Sequence, residues 1–420
     1  MVAYFFMAVL IALWMAWVLQ ALLSAWQWRL FAGRFVHEQE SSTDKPQPKA
    51  AIIVPFKGVD LDMETTIARL CTLDYPAYEL LLVVDSAQDP AYPLLQREIA
   101  RHPHIPSQIL IAGQAGMNEG QKVHNQLFAI DHLLARQGQP DQPEVWVFAD
   151  SDAIPDPQWL ANMVWPLFRR NVGMTTGYRW LEPVDRPGSS WLWSSIASVI
   201  NSSVIGFFRN NDYSHAWGGS MALLARVAIE GDLRGHLTGA LCDDYQFTRM
   251  IRKMGMRLYF VRYCLVATPV AFDRHSMMNF AHRQYLLTRV YAPKLFYGVL
   301  SIVSLYTLAN LSAWAAMIAL LIHDPGAWYF WGIPAITIVH VMFWNHIRAT
   351  QRKLAARRAL GDDAVRRLGR VWIIDRWFTW VWMLVHLVII LRSSYGRTMC
   401  WRGIYYRLYG PQKVERMNRS

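Results

Sequence analysis

The chain has 420 residues, room for one catalytic domain of roughly 250 residues plus membrane helices. Apolar residues make up 53% and charged residues 17%, a mixture that suits a soluble domain joined to bilayer segments and disfavours a pure membrane bundle. The net charge is +11, but the basic residues cluster beside apolar runs at 348–370 and 392–419, the pattern an anionic leaflet attracts; nucleic acid is not an expected partner.

Residues 1–28 carry no charged side chain and Arg29 follows. About 20 apolar residues cross the hydrocarbon core, and the positive-inside rule places Arg29 in the cytosol. No basic n-region precedes the run, so a retained anchor fits better than a cleaved signal. A polar linker (29–49) leads to short β-rich runs separated by helical stretches. Residues 50–55, 80–84, 108–112 and 145–149 read as buried strands, and 61–73, 92–101 and 121–136 as helices. That alternation predicts a parallel, doubly wound α/β sheet, in which ligands bind beyond the carboxyl ends of the strands.

Residues 189–208 are uncharged but rich in serine, and are read as an interfacial or buried helix. An amphipathic helix at 276–293 precedes a transmembrane hairpin at 294–347 and a basic cytosolic loop at 348–370. The apolar stretch 377–391 is only about 22 Å of helix, short of the roughly 30 Å core. It extends back to Val371 if Asp375 and Arg376 pair, or else is re-entrant, so 371–391 is a third membrane segment of open type. A basic tail, 392–420, closes the chain. Cys71, Cys242, Cys264 and Cys400 form no C-x-x-C pair and read as reduced thiols.

The sharpest chemical signal is Asp150-Ser151-Asp152, two carboxylates at the end of the fourth strand that can hold a divalent cation and, through it, a diphosphate. Composition alone yields about one such spacing by chance, and Asp60-x-Asp62 is read as that case. Asp85, with Asp89 beyond it, ends the second strand, where a carboxylate can accept from a base or ribose or simply form an Asx-turn. Lys122 faces either a phosphate or solvent. Asp243 reads as a helix start, and Asp244 gains weight from the acids around it. Arg283, Gln284 and Arg289 offer donors just before the membrane hairpin, either to headgroups or to a diphosphate.

Taken in order, Lys57-Gly58-Val59-Asp60, Leu73-Asp74-Tyr75-Pro76, Asp85, Asp89-Pro90-Ala91, Asp150-Ser151-Asp152, Asp243-Asp244-Tyr245 and Arg289 resemble the family 2-like inverting glycosyltransferases. Within these the chain looks closest to the ceramide glucosyltransferases and their bacterial relatives, and the tail 401–408 is similar to theirs. The resemblance implies a GT-A catalytic domain (50–275), a UDP-sugar donor, Mg2+ or Mn2+, and a membrane lipid acceptor. Asp85 and Asp89 would hold the nucleotide, Lys122, Asp150 and Gln284 the donor, and Asp150 and Asp152 the metal. Asp244 would act as base and Arg289 at the departing UDP. Leu286 and Val290 stand where the family's last motif has Gln or Arg and Trp, and Gln284 or Arg283 substitutes one turn earlier. The expected location is a bacterial inner membrane with the catalytic domain in the cytosol. A processive polysaccharide synthase and, from another class, a transporter or inactive binding protein are the alternatives.

Overall fold

The structure is a computed structural model that describes residues 2–35, 45–208 and 214–417. It divides into two compact units. The sheet unit comprises the described residues of Gln39–Val184, Phe207–Ala271 and Gly396–Ser420; the helical unit comprises those of Met1–Glu38, Asp185–Gly206 and Phe272–Tyr395.

In the sheet unit, β1 (Ala50–Pro55), β2 (Tyr78–Val84), β3 (Ser107–Ile111) and β4 (Val145–Ala149) alternate with helices Met63–Leu70, Tyr92–Arg101 and Gln121–Leu134. These elements match the sequence reading to within a few residues at their ends. Further along come β5 (Val172–Pro183), β6 (Ser220–Leu224) and β7 (Arg257–Val270), giving a seven-stranded sheet in the order β3-β2-β1-β4-β6-β5-β7. Only β6 runs against the others. Ile52, Ile53, Val54 and Leu80 to Val84 are fully buried, because helices cover both faces of a parallel sheet and near-continuous apolar strands result. The chain winds outward from β1 to β3 and then returns to place β4 on the other side of β1. The crevice between the ends of β1 and β4 is therefore the topological switch point, where ligands bind in such sheets.

β5, β6 and β7 escaped the sequence reading. Gly173, Thr175, Thr176, Gly177 and Arg179 interrupt β5, and Arg262 and Thr268 interrupt β7, so neither is the continuous apolar run that marks a buried parallel strand. The tail is also more than a basic segment. β8 (Thr398–Trp401), β9 (Ile404–Gly410) and β10 (Lys413–Met417) form an antiparallel sheet. It buries Met399, Tyr406, Leu408 and Val414 while Arg407 and Glu415 face out, the alternation of a sheet wetted on one side.

In the helical unit, Phe5–Gly33 and Pro293–His323 are long and apolar enough to cross a membrane, which makes this a membrane protein. Helix Trp328–Arg367 follows after a short turn in which Asp324 accepts from Gly326 N at 3.0 Å and Ala327 N at 3.2 Å. It is less apolar, with Trp, Tyr, His340 and Pro334 in its first half. Residues 189–208 contain helix Trp191–Ile205, whose serines are largely buried. The stretch 371–391 is two helices, Gly369–Trp377 and Thr379–Ser393, bent by 89°. Asp375 does not pair with Arg376. It is fully buried and pairs with Arg348 at 2.9 Å and Arg352 at 3.0 Å, while Arg376 donates to Thr350 Oγ1 at 3.3 Å. Helix Arg274–Tyr291 opens with a capping box between Asp273 and Ser276, which satisfies donors otherwise left open at a helix start.

Candidate active site

Polar residues on helix Gln121–Leu134 tie down the strand ends that carry the site. Asn125 Nδ2 donates to Phe56 O at 3.2 Å and Val83 O at 3.3 Å, immediately before Lys57 and Asp85. Lys57 then pairs with Asp85 and lies 3.5 Å from Asp89. Asp89 accepts from Gly58 N at 2.9 Å and from Ala91 N at 2.9 Å, so it braces two loops. Asp85 differs: its Oδ1 is buried with no hydrogen-bond partner among the described residues. A buried acceptor without a donor costs free energy, and a base N–H or ribose hydroxyl would satisfy it.

At the switch point, Ser151 Oγ donates to Asp60 Oδ2 at 2.6 Å, and the Arg402 guanidinium pairs with Asp60 Oδ1. Asp60 is therefore part of the site, contrary to the chance reading of Asp60-x-Asp62. Asp60 lies five residues past the end of β1, in the loop that leaves the ligand edge, whereas Asp85 directly follows β2. Asp152 has its carboxyl pushed up to about 6, by burial first and then by the Asp150 and Asp60 carboxylates, with Arg179 and Arg402 opposing. Crowded hard oxygen donors of this kind fit Mg2+ or Mn2+, whose charge would relieve their repulsion.

Lys122 reaches Asp150 at 2.7 Å and Asp243 at 3.0 Å. Burial alone would lower its pKa, but the two carboxylates outweigh burial and hold it above the lysine range. Lys122 is thus neither a solvated lysine nor free for phosphate alone; it binds two acids together. Asp243 is not the cap of its helix, Asp243–Lys253, whose N-cap is Cys242. It is buried, and accepts from Gln126 Nε2 at 2.7 Å. Burial opposes its charge, yet Lys122 and the Gln126 hydrogen bond outweigh that and keep the carboxyl below its usual range.

Asp244 is half-buried and accepts from the Cys242 thiol at 2.9 Å and from Tyr245 N at 2.7 Å. Burial and then the Asp243 carboxylate push its pKa up to about 6, suited to a base near neutral pH. Cys242, Asp243 and Asp244 present ligand atoms within 4.8 Å of one another, but they make a poor metal site. Burial holds the Cys242 thiol well above its usual range, whereas only the thiolate ligates.

Gly218 and Gly219, which the sequence reading missed, let these groups approach. A Cβ at Gly218 would lie 2.6 Å from Asp243 Oδ2 and 2.7 Å from Lys122 Nζ, and one at Gly219 2.9 Å from Asp150 Oδ2. Gln284 and Arg289 are half-buried on helix Arg274–Tyr291, which belongs to the helical unit.

The model of glycosyl transferase family 21 matches residues 4–414. The chain belongs to that family. Among curated relatives, a ceramide glucosyltransferase of Komagataella phaffii is 33% identical over 66 residues, 16% of this chain and 13% of the relative. Ceramide glucosyltransferase 1 of Caenorhabditis elegans is 32% identical over 85 residues, 20% of this chain and 18% of the relative. Each match therefore spans less than a fifth of the relative's length. Of solved structures, the mannosyltransferase PcManGT from Pyrobaculum calidifontis, in complex with GDP-Man and Mn2+, aligns over 92% of this chain and 97% of that one, with 16% identity and a TM-score of 0.45.

Proposed function

We propose that this family 21 protein transfers one sugar from a UDP-sugar to a hydroxyl of a membrane lipid, by single displacement with inversion. The observation that carries the reading is the gathering, in one sheet unit, of a diphosphate-type carboxylate pair and a separate half-buried carboxylate with a raised pKa. Asp85 would accept from the nucleoside through its orphaned oxygen. Asp150 and Asp152 would hold Mg2+ or Mn2+, which when bound neutralises the donor diphosphate. Lys122 holds Asp243 ionised, leaving Asp244 as the group able to take a proton from the acceptor hydroxyl. Arg289 is assigned to the charge that develops on the departing UDP, and Gln284, five residues before it, to the donor. The ceramide glucosyltransferase relatives support a lipid acceptor. The family match also weighs against the transporter reading.

The composition of the sheet unit supports a topology. A folded unit occupies one side of a bilayer, so the excursions 185–206 and 272–395 each cross an even number of times. Helix Trp191–Ile205 then does not cross. Pro293–His323 leaves the catalytic side, Trp328–Arg367 returns, and the bent pair stays on that side together with the tail. We assign that side to the cytosol of a bacterial inner membrane, following the basic residues near the helix ends. The test is release of UDP when the purified protein is screened against a panel of nucleotide-sugars with a total lipid extract. No release with any donor and lipid would overturn the reading.

A further inference from the structure

The acidic crevice is also reached by the turn between β8 and β9. Trp401 and Ile404 pair across it, leaving Arg402 and Gly403 as a two-residue hairpin turn with φ of 52° and 78°. Such turns favour Gly, Asn and Asp, because both central residues are left-handed. Gly403 fits this demand. Arg402 stands there against local preference, and backbone strain of that kind collects at ligand clamps. Its guanidinium holds one oxygen of Asp60 while Ser151, between Asp150 and Asp152, holds the other at 2.6 Å. The Arg402 side chain is 34% exposed, so the pair is accessible to a stronger anion.

The tail does not depend on that pair for its place. Tyr406 OH accepts from Gln121 N at 3.2 Å, and Gln246 Nε2 donates to Pro411 O at 3.0 Å. Gln412 Nε2 donates to Gly235 O at 2.8 Å and Thr238 O at 3.0 Å, and Arg416 N to Met117 O at 2.6 Å. These bonds anchor the small sheet to the segments that carry Lys122 and Asp243-Asp244. They leave the Arg402 end as the part that faces the carboxylates.

We propose that Arg402 is a donor-binding residue whose guanidinium exchanges Asp60 for the β-phosphate of a bound nucleoside diphosphate. This rests on the nucleotide-sugar reading of the crevice. A guanidinium presents two parallel N–H groups that match phosphate oxygens, and a diphosphate offers more negative charge than one carboxylate already shared with Ser151.

The test uses the full-length protein in detergent with saturating Mn2+, titrated calorimetrically with UDP and with UMP. Arg402→Ala should weaken UDP by about 10–100-fold, as expected for one charged hydrogen-bonding group. UMP should change by less than about threefold, since it lacks the β-phosphate. Arg402→Lys should recover part of the loss, and it carries the same UDP-over-UMP test if the alanine variant fails to fold. UDP binding by Arg402→Ala equal to wild type, or an equal loss of UDP and UMP affinity, would overturn the proposal and leave the pair as a tail clamp. A wild-type protein that binds no UDP would instead overturn the nucleotide-sugar reading beneath it.

Discussion

Replacing Asp244 by Asn changes one oxygen to an amide and removes the only property the mechanism asks of this residue, its basicity. The asparagine oxygen can still accept from the Cys242 thiol and Tyr245 N, which Asp244 holds at 2.9 Å and 2.7 Å. Fold and donor site should therefore persist. A lipid hydroxyl is far too weak an acid to attack unaided, and loss of a general base costs about 10²–10⁴-fold, or about 2.7–5.4 kcal/mol of transition-state stabilisation. We expect that loss in kcat, with donor KM within about threefold of wild type. The pH profile supplies an independent reading. A base works ionised, so wild-type kcat/KM should fall tenfold per pH unit below the Asp244 pKa of about 6 and level off above it. The limb should vanish in the Asn variant. With the donor diphosphate bound nearby, the limb in kcat should move to higher pH. Stability carries a sign of its own. The folded-state pKa lies above the ordinary carboxylate value, so the ionised form costs stability above about pH 6, a cost that fades as pH falls through that value. The neutral amide should consequently unfold at or above the wild-type temperature at pH 7.5. Steady-state kinetics, thermal unfolding and the anomeric configuration of the product by NMR together decide the matter. Full activity in Asp244→Asn, or a product that retains the donor's configuration, would refute the assignment.

Asp152→Ala should abolish metal-dependent turnover, since the diphosphate would lose a cation worth several kcal/mol; turnover persisting in excess chelator would count against it. The same variant removes a crowded carboxylate and should not lower the melting temperature measured without metal. Arg289→Ala should depress kcat by about 10²–10³-fold, the scale of a lost charge-stabilising donor, with a much smaller rise in donor KM. A pure KM effect would mean that Arg289 only binds. Cysteines introduced at Asp185 and His215 should react with an impermeant maleimide from the same face of sealed vesicles. Labelling from opposite faces would break the even-crossing topology.

The positions of β1 to β4 and their three helices were legible because buried parallel strands leave short apolar runs of a kind no solvated segment shows. Asp85 and Asp150-Ser151-Asp152 could be placed for the same reason: a strand end locates the next residue at the ligand edge. Asp60 lies outside that rule, because it stands five residues past the end of β1. A D-x-D spacing is common by composition, and only the winding that sets β1 beside β4 distinguishes this one. The two long apolar spans, Phe5–Gly33 and Pro293–His323, also follow from length and hydropathy alone.

Other features depend on contacts between residues far apart in the chain. Lys122 and Asp243 are 121 positions apart, and Arg402 and Asp60 are 342 apart. No local pattern distinguishes Lys122 from a solvated helix lysine, nor Asp243 from a capped helix start. The same holds for Asp375, whose partners Arg348 and Arg352 lie on another helix while its neighbour Arg376 turns to Thr350. The tail is the plainest case. Its alternation of Tyr406 and Leu408 with Arg407 reads as basic by composition, and becomes a sheet only when Tyr406, Gln412 and Arg416 find partners on the catalytic domain. Periodicity and strand-end chemistry are local properties, so the sequence by itself determined the α/β sheet, the membrane spans and the carboxylates at the strand ends. Which charges neutralise one another, and therefore which carboxylate remains free to act as a base, is set by through-space Coulomb interaction and burial, and only the tertiary structure decided it.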